Sequence, residues 1–187
     1  MKYLIAGLGN TGEEYANTRH NIGFVVLDAF ALSCKNSFAS ARYASVSKCK
    51  FKGRIFVLIK PSTYMNLSGK AIKYWLEKEK IPIENFLVVV DDIALPLGTL
   101  RMKMKGGDGS HNGLISIIEN INTISFPRLR IGIGNDFHQG FQSEYVLGKW
   151  TSSEEKIMIP RVKIAVDIIK SYATIGIERT MTLYNNK

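Results

Sequence analysis

The stretch KYLIAGLGNTGEEYANTRHNIG, Lys2 to Gly23, decides how the chain is read. A short apolar run, Tyr3 to Ala6, reads as a buried strand, and it opens abruptly into a polar loop carrying Asn10, Arg19, His20 and Asn21. Helical spacing follows through Ile22, Val25, Val26, Ala29 and Phe30, predicting a helix over Ile22 to Ser33. Strand, loop and amphipathic helix together open an α/β unit. Gly7, Gly9 and Gly12 also match the G-x-G-x-x-G pattern that cradles a pyrophosphate. That pattern needs an apolar helix opened by its third glycine, and an acid roughly 20 residues later at the end of a second strand. Here Glu13 and Glu14 follow Gly12 and would repel a phosphate, while the suitably placed acid, Asp28, falls inside the predicted helix. The loop is therefore read for its amides and its histidine.

Outward from this stretch, residues 42 to 52 alternate loosely, Lys52-Gly53 reads as a turn, and Arg54 to Ile59 as a strand. A hairpin there makes the sheet mixed. PSTYMNLSG leads into a helix over Ser68 to Lys80 with Ile72, Trp75 and Leu76 on one face. Phe86 to Val90 reads as a buried strand ending in Asp91-Asp92, and TLRMKMK as a strand with Arg101, Lys103 and Lys105 on one side. GGDGSHNG is a flexible glycine loop, residues 114 to 121 a short helix, and LRIGIG from Leu129 a strand whose glycines indicate close backbone approach. Tyr145 to Gly148 reads as a short extended piece. Ser152 with Glu155 forms a capping-box pattern before the last helical region, which Pro160 should kink or restart. With no repeat or linker, residues 1–187 form one α/β domain, a twisted mixed central β-sheet flanked by helices.

Composition narrows the setting. A hydrophobic content of 45% with 22% charged residues is that of an ordinary globular protein, and the apolar runs stop well short of a membrane span. The first apolar run is too short for a signal peptide, and Cys34 and Cys49 lack metal-type spacing, so a cytoplasmic, reduced setting is expected, with no membrane partner. The net charge of +9 is concentrated: Ala29 to Trp75 contains no acid but Lys35, Arg42, Lys48, Lys50, Lys52, Arg54, Lys60, Lys70 and Lys73. Of the 25 basic residues, the sixteen outside this block balance the sixteen acids. Such a block favours a polyanion partner or serves as a solvated basic face.

Three predicted strands end in unusual polar residues: GLGN, KPSTYMN and DD. If these strands are parallel, their carboxyl ends share the edge at which open α/β sheets bind ligands, gathering His20, Asn10, Asn66 and Asp91. His20 is the obvious general base and Asp91 the group that fixes its tautomer; the competing reading is a loop histidine and a capping acid. Asn10, Asn66 and Asn112 offer amide donors for a developing oxyanion, although asparagine is also a common turn residue. There is no G-x-S-x-G elbow, H-E-x-x-H motif, paired-cysteine motif or G-K-[ST] loop. His20, His111 and the two aspartates remain as a metal set of no recognised spacing. Water activated by His20 is the simplest mechanism.

Several of these stretches in one order, GLGNTGEEYANTRHNIG, KPSTYMNLSG, VVVDDIALPLG, GGDGSHNGL, FPRLRIGIG and YVLGKW, resemble the bacterial peptidyl-tRNA hydrolase family over nearly the full length. The resemblance implies a monomeric enzyme, without cofactor or metal, that cleaves the ester joining a peptide to the 3′ end of tRNA and acts in translation. It implies His20 as catalytic base and Asp91 as its carboxylate, with Asn10, Asn66 and Asn112 positioning peptide, water or base. It places Tyr15 and Met65 at the peptide end of the crevice, His111 beside the substrate channel, and Lys103 and Arg130 on tRNA phosphate. Three positions depart from the family pattern: Thr11 stands for a proline, Ala94 for a second acid, and Ser110 for a glycine. The competing classes are a dinucleotide-dependent oxidoreductase, which would bind NAD(P)H, and a tRNA-binding protein that does not cleave the ester.

Overall fold

A computed structural model of the chain describes residues 1–185. Strand β1, Lys2–Gly7, leads through the polar loop into helix α1, Ile22–Ser33. Strands β2 (Ala39–Ala41), β3 (Ala44–Phe51) and β4 (Arg54–Pro61) form an antiparallel meander, and helix α2, Ser68–Glu79, leads to β5, Phe86–Asp92. Strand β6 (Leu100–Lys103), helix α3 (Asn112–Ile121), strand β7 (Arg128–Gly132) and helices α4 (Gln142–Leu147), α5 (Ser152–Ile175) and α6 (Ile177–Tyr184) complete the order.

The sheet runs β2-β3-β4-β1-β5-β7-β6. Strand β1 lies parallel to β4, with Leu4 opposite Val57, and to β5, with Ala6 opposite Val88. The polar sequels of β1, β4 and β5 therefore leave the sheet at one edge, as their sequences implied. Alternation splits the core in two. Tyr3, Ile5, Leu58, Leu87 and Val89 pack under α1 and α5, while Leu4, Ala6, Val57, Val88 and Val90 pack under α2 and α3. Phe30 and Phe56, both fully buried, meet edge to face at 5.1 Å in the first layer. Burying each is worth about 1.5–3 kcal/mol.

Two of the opening glycines serve packing rather than phosphate. A Cβ on Gly7 would lie 2.3 Å from the Gly23 carbonyl oxygen, so these residues let α1 start directly against the end of β1. Asp28 is a helix-surface residue paired with Lys60 at 2.6 Å. Gly132 makes the close approach that the LRIGIG glycines indicated, since a Cβ there would meet the Pro96 carbonyl at 2.0 Å. Edge strand β6 is capped by Asn185, whose side chain exchanges hydrogen bonds with the backbone N–H (2.8 Å) and C=O (3.0 Å) of Met102. Both cysteines are free, and burial pushes the Cys49 thiol up to about 12.

Three local expectations shift. Tyr145 lies in a helical turn, α4, held by its hydroxyl donating to the Ile133 carbonyl at 2.6 Å. The capping box exists one residue earlier than predicted: Glu154 N–H donates to Thr151 Oγ1, and the Glu154 carboxylate accepts from Thr151 N–H. Pro160 lies inside an uninterrupted α5 on its exposed side, where water can satisfy the carbonyl it leaves unbonded.

Candidate active site

His20 sits in a 3₁₀ turn, Arg19–Asn21, that runs straight into α1. Four neighbours fix this turn. Asn21 accepts from the Asn10 N–H and donates to the Asn10 carbonyl, both at 2.9 Å, closing the polar loop on itself. The Arg19 backbone N–H donates to the Gly148 carbonyl at 3.0 Å. The Arg19 guanidinium makes a two-pronged contact with Glu154 at 2.8 and 3.0 Å, donates to the Tyr145 carbonyl at 3.1 Å and lies 4.4 Å from the Tyr145 ring. The sequence gives no sign of this role for Arg19, because its partners lie more than 120 residues away.

Asp91, near the end of β5, is 4% exposed, and its carboxylate receives two imidazoles. His20 Nδ1 lies 2.9 and 3.0 Å from its oxygens, and His111 Nε2 lies 2.8 Å from Oδ1. Burial alone would push this carboxyl up; His111 and His20 more than offset that and hold it below the ordinary carboxylate range. The protons follow from the partners. His111 precedes α3 as its N-cap, and its Nδ1 accepts the Gly113 N–H at 3.1 Å, so the neutral ring carries its proton on Nε2, facing Asp91. His20 likewise presents Nδ1–H to the carboxylate, which leaves its Nε2 lone pair free.

A cleft of about 170 Å³ opens over this pair, lined by His20, Asp91, His111, Asn112, Arg130 and Ser143 among others. Of the remaining candidates, Asn112 is exposed on its wall. Asn10 lines a neighbouring depression instead, and its Oδ1 accepts the Met65 N–H at 2.8 Å, so among the described residues its Nδ2 is the group left without a protein partner for a ligand. Met65 is buried, Asn66 beside it is exposed, and Tyr15 is half-buried. The cleft therefore brings together His20, Asp91, His111, Asn112 and Arg130, but not all three asparagines. Arg130 donates to Asp92 at 2.5 Å, and Asp92 also accepts from the Ala94 N–H at 2.8 Å. Lys103 is exposed on β6, whose Arg101 lies opposite Arg130. Ser110 adopts a left-handed φ of +61°, and its N–H donates to Asp108 at 2.7 Å.

His20 Nδ1, His111 Nε2 and an Asp91 oxygen lie within 4.8 Å of one another, a spacing that admits a metal ion. The Gly113 hydrogen bond opposes one. Nε2 ligation would move the His111 proton to Nδ1, pointing it at another N–H. The arrangement is built for protons: a buried carboxylate, a fixed imidazole and a free ring nitrogen facing a cleft.

The fold and this site define a single-sheet α/β protein with a buried carboxylate paired to two histidines beneath a cleft. The Peptidyl-tRNA hydrolase family model matches residues 4–187. Curated peptidyl-tRNA hydrolases are similar over all 187 residues and their own full lengths, at 57% identity in Phocaeicola vulgatus and 53% in Bacteroides fragilis. The crystal structure of peptidyl-tRNA hydrolase from Acinetobacter baumannii superposes with a TM-score of 0.91 at 34% identity, over 96% of this chain and 92% of that one. The chain belongs to the peptidyl-tRNA hydrolase family.

Proposed function

We propose that this chain hydrolyses the ester joining a peptide, or an N-acylated amino acid, to the 3′ end of tRNA, with His20 as general base. Family membership supports the reaction class, and the contact of His20 Nδ1 with buried Asp91 carries the assignment of the base. His20 Nε2 removes a proton from water as the oxygen attacks the ester carbonyl carbon. Asp91 stabilises the imidazolium that forms. The tetrahedral intermediate collapses by breaking the bond to the ribose oxygen, and the imidazolium returns its proton to that oxygen. The products are a free carboxylate and tRNA with a restored hydroxyl.

In this reading Asn10, through Nδ2, Asn66 and Asn112 supply amide donors to the peptide and the oxyanion, Tyr15 and Met65 shape the peptide end, and His111 stands beside the channel while steadying Asp91. Lys103 and Arg130 take tRNA phosphate. Neither cofactor nor metal enters a step, and the enzyme works as a monomer in the cytoplasm. Among the described residues no helix is long and apolar enough to cross a membrane. The test is release of N-acetylated amino acid from acylated tRNA: the parent protein yields free tRNA and free N-acetyl amino acid, and failure to do so removes the reading.

A further inference from the structure

The acid-free basic block resolves into unlike parts. Lys48 pairs with Glu79 at 2.8 Å and Lys60 with Asp28 at 2.6 Å, while Arg54 donates to the carbonyls of Ala173 and Lys52. Arg42 and Lys70 are different, and Lys78, just beyond the block, joins them. All three are exposed, and none contacts a carboxylate among the described salt bridges. Each is held over an aromatic ring instead: Arg42 at 5.0 Å from Tyr43 and 5.2 Å from Tyr74, Lys70 at 4.9 Å from Tyr43, and Lys78 at 4.5 Å from Trp75. The rings are themselves anchored, since Trp75 Nε1 donates to the Arg42 carbonyl at 3.0 Å and Tyr43 meets Tyr74 edge to face at 5.5 Å.

Such an arrangement prepares positive charge for an external anion. Ring contacts hold the cations without neutralising them, as an acid would, and reduce the freedom they lose on binding. Arg42 and Lys70 also hold the Tyr43 hydroxyl below its ordinary value, a sign of concentrated positive potential. Lys70 and Lys78 lie eight residues apart along α2, about 12 Å at 1.5 Å per residue, so the feature is a stripe and not a point site. In the sheet order, β3 and β5 are separated by β4 and β1, about 14 Å at ~4.8 Å per spacing. Helix α2 packs against α3, whose Asn112 and Leu114 line the cleft, and its far end reaches back to the start of β1 through Glu79 and Lys2, so the stripe runs away from the cleft along α2, while Lys103 and Arg130 lie on β6 and β7.

We propose that Arg42, Lys70 and Lys78 form a second phosphate-binding face that grips the backbone of the RNA substrate on the α2 side of the cleft. The proposal rests on the tRNA-ester reading above. The occupant is a nucleic-acid backbone because three exposed cations, each held over an aromatic ring, share this face with a single exposed acid among the described residues, Glu77, which favours a polyanion.

The test measures kcat/KM for N-acetylaminoacyl-tRNA across a salt series in the triple variant Arg42→Ala, Lys70→Ala, Lys78→Ala. A control triple removes equal charge just after α1 and at the β3–β4 turn: Lys35→Ala, Lys50→Ala, Lys52→Ala. The stripe variant should raise KM and flatten the slope of log(kcat/KM) against log[salt] by about two to three, roughly one per lost contact. The control should change the slope by well under one. The charge-retaining variant Arg42→Lys, Lys70→Arg, Lys78→Arg should restore most of the affinity, which separates lost contact from damaged fold. Equal effects in both triples, or none in the stripe variant, overturn the proposal. Absence of turnover by the parent would instead remove the underlying reading.

Discussion

His111 Nδ1 accepts the backbone N–H of Gly113 at 3.1 Å, which leaves His20 as the site histidine with a ring nitrogen not engaged by Asp91 or the backbone among the described residues. Its other nitrogen carries the proton given to Asp91, so under the proposed mechanism His111 acts as a positioning residue. Replacing it by alanine removes one donor to a buried carboxylate and one helix cap. A hydrogen bond to a charged group is worth about 1.5–3 kcal/mol, so kcat should fall roughly ten- to a hundred-fold, with a smaller change in KM. Steady-state kinetics of His111→Ala and His111→Asn check this; asparagine can still cap α3, so it should recover stability but not full rate.

Asp91→Asn tests the tautomer directly. The amide can donate to His20 Nδ1, which would move the ring proton to Nε2 and block the base. We expect a loss of about 10²–10⁴ in kcat, the range of general-base effects, with tRNA affinity little changed in equilibrium binding.

Asp91 also sets an acid limit on stability. Its folded pKa is depressed below the unfolded value, so its contribution is fully present above the ordinary carboxylate pKa of about 3.9 and is lost as pH falls through the folded value. Denaturant midpoints from pH 5 down to pH 2 should show the parent losing stability more steeply than Asp91→Asn. Parallel curves would contradict the linkage.

The clamp beside His20 predicts coupled loss of stability and rate. Arg19 and Glu154 are 10% and 17% exposed at their side chains, and removing one partner of a largely buried pair costs roughly 3 kcal/mol. Arg19→Met should therefore lower both the unfolding free energy and kcat, since the next residue is the base. A double-mutant cycle with Glu154→Gln should give an interaction energy well above the ~0.5 kcal/mol expected of independent sites.

Much of this was legible in the chain. Strands β1, β4 and β5 each show an apolar run broken by polar residues, and that break marks both the end of the strand and the edge where His20 and Asp91 meet. Other features were hidden for physical reasons. Helix α4 is six residues long and held by tertiary contacts from Tyr145, so periodicity could not reveal it. Thr151-Ser152 and Glu154-Glu155 satisfy the capping pattern in two registers, and only the backbone chooses between them. His111 follows a left-handed turn at Ser110, a conformation that residue spacing alone does not reveal. Asn10 read as a substrate amide, yet one of its two polar side-chain atoms is already committed to Met65.

The most direct test of the account is single-turnover hydrolysis of N-acetylaminoacyl-tRNA by His20→Ala beside the parent and His111→Ala. With His20 as the base, its removal should slow the chemical step about 10²–10⁴-fold, well beyond the effect of His111→Ala, while tRNA binding persists. Full activity in His20→Ala, or a larger loss in His111→Ala, would contradict the assignment of the base.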